Sequence, residues 1–371
     1  MKSLKLILMG SVSSLFLSSN IYSNNISYLY DVLPESARGD FELSFSKAEF
    51  NENLDVLGYI DNLTGARPKQ ADITELSLSY RVFDKYRLTL QTNDSFAEVT
   101  RSGIPSSLET EAKTDFISFS FPVLETKKNV LNLEIFYTET EQDPLTIDCY
   151  GFGSIVVGGS CPEADVKLLD SEIYRSTGDR VYLPVLKTKG SSEGYGFNLR
   201  LNKIQNDQLN ISHTLSFGEE EVLMEFDSAV LNTTDTFLRG VRINGVTTGK
   251  LLDDFKNDLP QETPWKERYF KYALNLTYGI SEKLALSGRF SLIKVSRSDY
   301  EVNPNKKDFT DNQLIDFGIF FEPHKNILLY SRMSLSTRYL LGITPISYNR
   351  RSNHLFDHPY GQLYIGTLIR F

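Results

Sequence analysis

The chain has 371 residues, with 48 Asp and Glu against 39 Lys and Arg, a formal net charge of −9. An acidic balance argues against a general nucleic-acid binder, whose footprint is basic. Beyond the first two dozen residues no apolar run approaches the ~20 residues that a membrane-crossing helix requires, which excludes helical spans.

The N-terminus has three parts. Lys2 and Lys5 form a short basic region, Leu6 to Leu17 is mainly apolar, and Ser18 to Ser23 is small or polar around Ile21 and Tyr22. This is the layout of a secretory signal peptide, 1–23, with cleavage expected after Ser23. Residues 24–38 read as a lead-in without stable structure around Pro34, the alternative being a short plug. Export passes the chain through an oxidising compartment, so Cys149 and Cys161 are expected to form a disulfide. In the chain-entropy model so small a loop contributes about 3 kcal/mol. Two isolated Cys without a nearby His make a poor zinc site. The glycine-rich stretch they enclose, from Tyr150 to Ser160, lacks the Lys-Ser/Thr partner of a phosphate loop and reads as a hairpin.

From residue 39 onward, apolar and polar residues alternate, the period-two signature of strands with one apolar face. Phe41, Leu43 and Phe45 open the series. Leu76, Leu78, Tyr80 and Val82 follow, then Leu88 and Leu90, Ile117, Phe119 and Phe121, Leu131, Leu133, Ile135 and Tyr137, and Tyr195, Phe197, Leu199 and Leu201. The second half continues with Leu209, Ile211, Leu215 and Phe217, then Phe270, Tyr272, Leu274, Leu276 and Tyr278, Leu284, Leu286, Phe290 and Leu292, Ile315, Phe317, Ile319 and Phe321, and Leu329, Met333 and Leu335. Short polar links near 83–85, 125–128, 205–207, 281–283 and 323–325 alternate with long ones near 51–72, 100–113, 139–193, 218–267, 297–312 and 341–358. In the final strand Leu363, Ile365, Thr367, Ile369 and Phe371 share one face, so the chain ends on an aromatic residue of the apolar face.

That ending resembles the C-terminal signature of Gram-negative outer-membrane β-barrel proteins, whose last strand closes on a Phe that serves as the assembly signal. The resemblance implies an all-β fold: a transmembrane antiparallel up-and-down β-barrel of about twelve strands over 39–371, each of roughly ten residues. It implies short periplasmic turns, long extracellular loops and a place in the bacterial outer membrane. The partners it implies are outer-membrane lipid, lipopolysaccharide and, at Phe371, the barrel-assembly machinery; no cofactor or metal follows from it.

If the apolar set faces lipid, the lumen receives Glu42, Glu75, Arg81, Arg87, Glu134, Arg200, Lys271, Arg289, Asp316, Glu322, Arg332, Arg338 and Arg370. These are the expected pore-lining residues. Their basic excess would favour small anionic or polar solutes, since fixed charges tune passage; a salt-bridged interior that holds the barrel shut is the alternative. The leading function is therefore a channel for passive or selective passage of small hydrophilic solutes.

Two other classes remain. One is a non-conducting barrel similar to an autotransporter translocator domain, against which stands the short, Pro-containing segment before Asp40. The other is an outer-membrane hydrolase. His213 falls on the lipid face, which resembles the outer-membrane phospholipase, but Ser212 and Thr214 point the opposite way, and Ser331, of matching parity, need not lie on a neighbouring strand. His324 reads as a turn residue, and His354 and His358 as solvated loop. The run Glu219, Glu220 and Glu221, with Glu225, Asp227, Asp253 and Asp254, reads as an acidic loop without the Asp-His pairing of the outer-membrane protease, so no catalytic residue is assigned.

Overall fold

The computed structural model describes residues 28–29, 39–51, 66–83, 85–101, 104–126, 128–143, 145–147, 150–152, 174–175, 181–183, 186–206, 208–227, 239–240, 242–243, 246–247, 249–250, 253, 262–299, 310–338 and 360–371. The signal segment, the expected disulfide of Cys149 and Cys161, and His354 and His358 lie outside them.

The alternating segments form twelve long strands: β1 (Phe41–Asn51), β2 (Ala66–Val82), β3 (Tyr86–Arg101), β4 (Ile104–Glu125), β5 (Asn129–Gln142), β6 (Leu186–Ile204), β7 (Leu209–Asp227), β8 (Glu262–Ser281), β9 (Leu284–Ser298), β10 (Asp311–His324), β11 (Ile327–Ser336) and β12 (Tyr360–Arg370). Each pairs antiparallel with its sequence neighbours, including β5 with β6 and β7 with β8 across the two longest connections. β12 returns to β1, with Arg370 opposite Glu42 and Leu363 opposite Glu49. The sheet is thus a closed barrel without a free edge, the one sheet form that leaves no backbone group unpaired in hydrocarbon.

Side chains obey the period of two. On β10, Ile315, Phe317, Ile319 and Phe321 are 42%, 53%, 54% and 44% exposed, while Asp316 and Phe320 between them are 4% and 2% exposed. Every one of the twelve strands carries at least one large, exposed apolar side chain, and buried polar residues outnumber buried apolar ones. This inverts a water-soluble protein, and an apolar girdle around the whole molecule far exceeds what a soluble monomer shows. The outer face is a lipid face. On β7 it runs from Leu209 to Phe217, about 20 Å along the barrel axis after allowing for strand tilt, near the height of an outer-membrane apolar band.

The strands span 10 to 22 residues, longer than the ten or so expected. The surplus lies at the end away from the tight turns. Glu219 to Glu221, expected in a loop, lie within β7 and alternate outward, inward, outward. Outward Glu219 faces and pairs with Arg268 of β8, and Glu221 with Lys266. Above the acyl chains outward residues become charged, which erases the hydrophobic alternation while the hydrogen-bond ladder continues. The hairpin expected between the cysteines also differs: Tyr150–Phe152 pairs with Val181–Leu183, beyond Cys161.

At the opposite end, beside the start of β1 and the end of β12, five tight turns close the hairpins. Phe83 has a positive φ of 51° in the β2–β3 turn. Asn206 Oδ1 accepts from the backbone N–H groups of Gln208 and Leu209 at 2.9 and 2.7 Å, an Asx turn. Asn326 donates its side-chain amide to the Arg370 carbonyl at 2.9 Å, tying the β10–β11 turn to the end of β12. Phe371 is exposed on the lipid side, edge-on to Phe41, with its N–H donating to the Phe41 carbonyl at 2.8 Å.

Because Phe317 faces lipid near the middle of β10, Phe317→Arg is expected to lower the stability of the vesicle-embedded barrel by about 2–4 kcal/mol. Reversible denaturant unfolding in lipid vesicles measures this; an unchanged midpoint would contradict a lipid-facing position.

Candidate functional site: the barrel interior

The buried polar residues of the strands lie on the inward rows. At the turn end Arg87 Nη1 donates to Glu42 Oε2 at 2.9 Å and to Ser79 Oγ at 3.2 Å, and its Nη2 donates to the Gly39 carbonyl at 3.0 Å. Glu42 also accepts from the Gly39 N–H at 2.8 Å, so this buried pair fixes the chain entry to β1. Arg370 pairs with Glu322 at 2.9 Å, and Arg81 with exposed Asp40 at 3.1 Å.

Further in, Glu134 accepts from Ser118 Oγ at 2.7 Å, Asn198 Nδ2 at 2.9 Å and, more weakly, Arg200 Nη2 at 3.4 Å. One carboxylate so joins β4, β5 and β6. Toward the far end Arg297 pairs with Glu267 at 2.7 Å, both fully withdrawn from solvent. Sequence reasoning missed this pair because both residues lie in stretches it read as loop.

The segment before the barrel contributes directly. Tyr28 and Leu29 form part of a helical turn inside the barrel, packed against Phe320, Leu328, Tyr330 and Leu368 of β10, β11 and β12. The Tyr28 hydroxyl is 2.6 Å from Ser287 Oγ of β9. Arg332 is held between two rings, its guanidinium carbon 4.5 Å from the Tyr28 centroid and 4.0 Å from that of Tyr364, and Arg289 stands 5.8 Å from Tyr28. Burial pushes the Tyr28 phenol up to about 12, so it remains a neutral hydrogen-bonding group at any physiological pH. Gly318 makes the seat possible, because a Cβ there would lie 2.5 Å from the Tyr28 hydroxyl oxygen. The inward Leu and Phe residues that form this seat were legible as strand residues, but nothing in the sequence connects them to position 28.

Of the expected lining residues, Glu42, Glu75, Arg87, Glu134, Arg200, Arg289, Asp316, Arg332 and Arg370 are buried on inward rows. Lys271, Arg81 and Glu322 are half-buried on the same rows. Arg338 lies just beyond β11 and not on a strand; its backbone N–H donates to Asn312 Oδ1 at 3.0 Å and its carbonyl accepts from Ser336 Oγ.

His213 is half-buried on the outer face, with Nδ1 2.9 Å from the Tyr272 hydroxyl. β7 neighbours only β6 and β8, so Ser331 on β11 is not brought to it. The described residues contain no cluster of His, Cys, Asp and Glu suited to a metal.

No family model and no curated protein matches the sequence. Among solved structures, the translocator domain of the autotransporter NalP from Neisseria meningitidis aligns with a TM-score of 0.52 at 10% identity, over 94% of this chain and 94% of that one. The NanC porin aligns with a TM-score of 0.41 at 11% identity over 89% of this chain and 100% of that one. A Pseudomonas aeruginosa FadL homologue gives 0.42 at 10% identity, over 89% and 90%. The first likeness is one of fold; the other two are too remote to support more. A closed twelve-strand cylinder with a lipid-facing girdle is an outer-membrane β-barrel, and the bacterial outer membrane is where this chain resides.

Glu42→Ala leaves Arg87 buried without its carboxylate and is expected to destabilise the barrel by about 3–5 kcal/mol. The double replacement Glu42→Leu with Arg87→Leu should recover most of that loss. Urea unfolding in vesicles compares the native chain, each single variant and the double; a double-variant loss equal to the sum of the two single losses would show that the pair is not coupled.

Proposed function

We propose that the barrel is a channel for small hydrophilic solutes and that Tyr28 and Leu29, seated against its wall, hold it shut in the conformation described. One observation supports this above others: the interior is polar and part of its hydrogen-bonding capacity is unmet. The hydroxyls of Ser77 and Ser212 and the amides of three inward asparagines have no protein partner. An interior whose only task was to seal the barrel would pair these groups or replace them with apolar ones. Water and passing solutes are the natural partners for such a wall. Among the described residues His213 has a phenol as its partner and no nucleophile aligned with it, which gives hydrolysis no support.

A second reading, a non-conducting barrel, is favoured by the ion pairs Glu42–Arg87, Glu134–Arg200, Glu267–Arg297 and Glu322–Arg370, which tie the lining together. In either reading, Phe371 would be the mark recognised by the assembly machinery, and the outward charges above the apolar band would meet lipopolysaccharide.

Planar-bilayer recordings separate the two. Rare or small conductance steps are expected from the native chain, with at least a tenfold rise in open probability for Tyr28→Ala, which removes the ring between Arg332 and Ser287. No steps from either protein would reject the channel.

A further inference from the structure

Five inward side chains on β6, β7 and β8 form a wall of neutral polar groups close to the tight turns. Asn202 lies opposite Ser212, and Ser212 opposite Asn275, so these three stand in one row across three strands. Asn210 lies opposite Thr277 in a second row, two residues along β7. Asn202, Asn210, Ser212 and Asn275 are 4%, 9%, 0% and 1% exposed. Both side-chain polar atoms of all three asparagines, and the hydroxyls of Ser212 and Thr277, lack any hydrogen-bond partner. A buried polar group without a partner gives up its hydrogen bonds to water and gains none in return. Five such groups gathered on one face of the lumen therefore constitute a site built for something that supplies the missing bonds.

We propose that this wall is a binding site for an uncharged, hydroxyl-rich solute, a sugar or polyol. Each carboxamide offers donors and an acceptor side by side, and a sugar hydroxyl both donates and accepts, so the two chemistries match. Carboxylates stand beside the flanking arginines: Arg200 contacts Glu134, and Arg289, opposite Asn275, has Asp316 across from it on β10. A charged ligand would find no countercharge reserved for it at the wall and would lose its hydration without compensation. Strand spacing makes the patch about 10 Å wide and 7 Å high, the footprint of one or two sugar rings. Thr277 stands opposite Ser287, the residue that holds Tyr28, so the site borders the plug.

This names a solute class for the channel reading and rests on it for its purpose, but binding can be measured without current. Saturation-transfer NMR on the refolded full chain in detergent, native and Tyr28→Ala, would use maltotriose as the probe and gluconate as the charged comparison. Maltotriose is expected to give transfer in one or both proteins and gluconate none. The replacement of Asn202, Asn210 and Asn275 by Leu, similar in shape and without partners to lose, should retain the barrel circular dichroism and weaken maltotriose binding at least tenfold. Single Asn202→Ala and Asn275→Ala variants, which serve if the triple variant does not fold, should each weaken it at least threefold, while Asn93→Leu on β3 should not. No transfer from maltotriose in either protein, equal transfer from gluconate, or unchanged binding in the asparagine variants would overturn the proposal and leave the wall to ordered water. A chain that binds maltotriose yet never conducts keeps the site and loses the channel; one that conducts without binding does the reverse.

Discussion

The closure of the backbone hydrogen-bond ladder is the constraint from which the rest of this molecule follows. In hydrocarbon an unpaired N–H or C=O has no water to turn to, so the sheet must end where it begins. Here the seam is the pairing of β1 with β12. It brings the chain terminus beside Gly39, and Glu42, opposite Arg370 in register, also receives Arg87 from β3. The buried ion pair at the turn end thus reinforces the strand at which the cylinder closes.

Closure also decides where polarity goes. A strand with alternating faces in a closed barrel has one face in lipid and the other toward the enclosed lumen. The outward set is therefore chosen for apolar area and the inward set for mutual pairing. The interior solves its pairing problem unevenly. The β1 to β6 wall is linked by charge-assisted bonds through Glu42 and Glu134, and the β9 to β12 wall takes Tyr28 between Arg332 and Ser287. The β6 to β8 wall is left with amides and hydroxyls that have no protein partner. That asymmetry is what a passage with a plug on one side and a solute track on the other would require.

Most of the architecture was legible because lipid imposes a pattern that local sequence can record. The alternation of Ile315, Phe317, Ile319 and Phe321, the turn chemistry at Asn206 and the final Phe371 are local signals, and strand number and direction follow from them. What was not legible depends on register or on water-facing sheet. Glu219 to Glu221 looked like loop because beyond the acyl chains nothing forces outward residues to be apolar. The partnership of Glu42 with Arg87 needs the exact alignment of three strands. Charged residues drew attention as lining, whereas Asn202, Asn210 and Asn275 carry no charge and stand out only when their neighbours are known to leave them unpaired. Tyr28 sits in a segment without periodicity, and its seat at Gly318 exists only in the folded barrel.

Alternate side chains meet lipid around a closed cylinder. Nitroxide labels placed singly at residues 314 to 321 of β10, with Cys149 and Cys161 replaced by Ser, test this in vesicles. High oxygen accessibility at 315, 317, 319 and 321 with low accessibility at 314, 316, 318 and 320 is the expected result. Oxygen accessibility without a period of two, or with maxima at 316, 318 and 320, would contradict it.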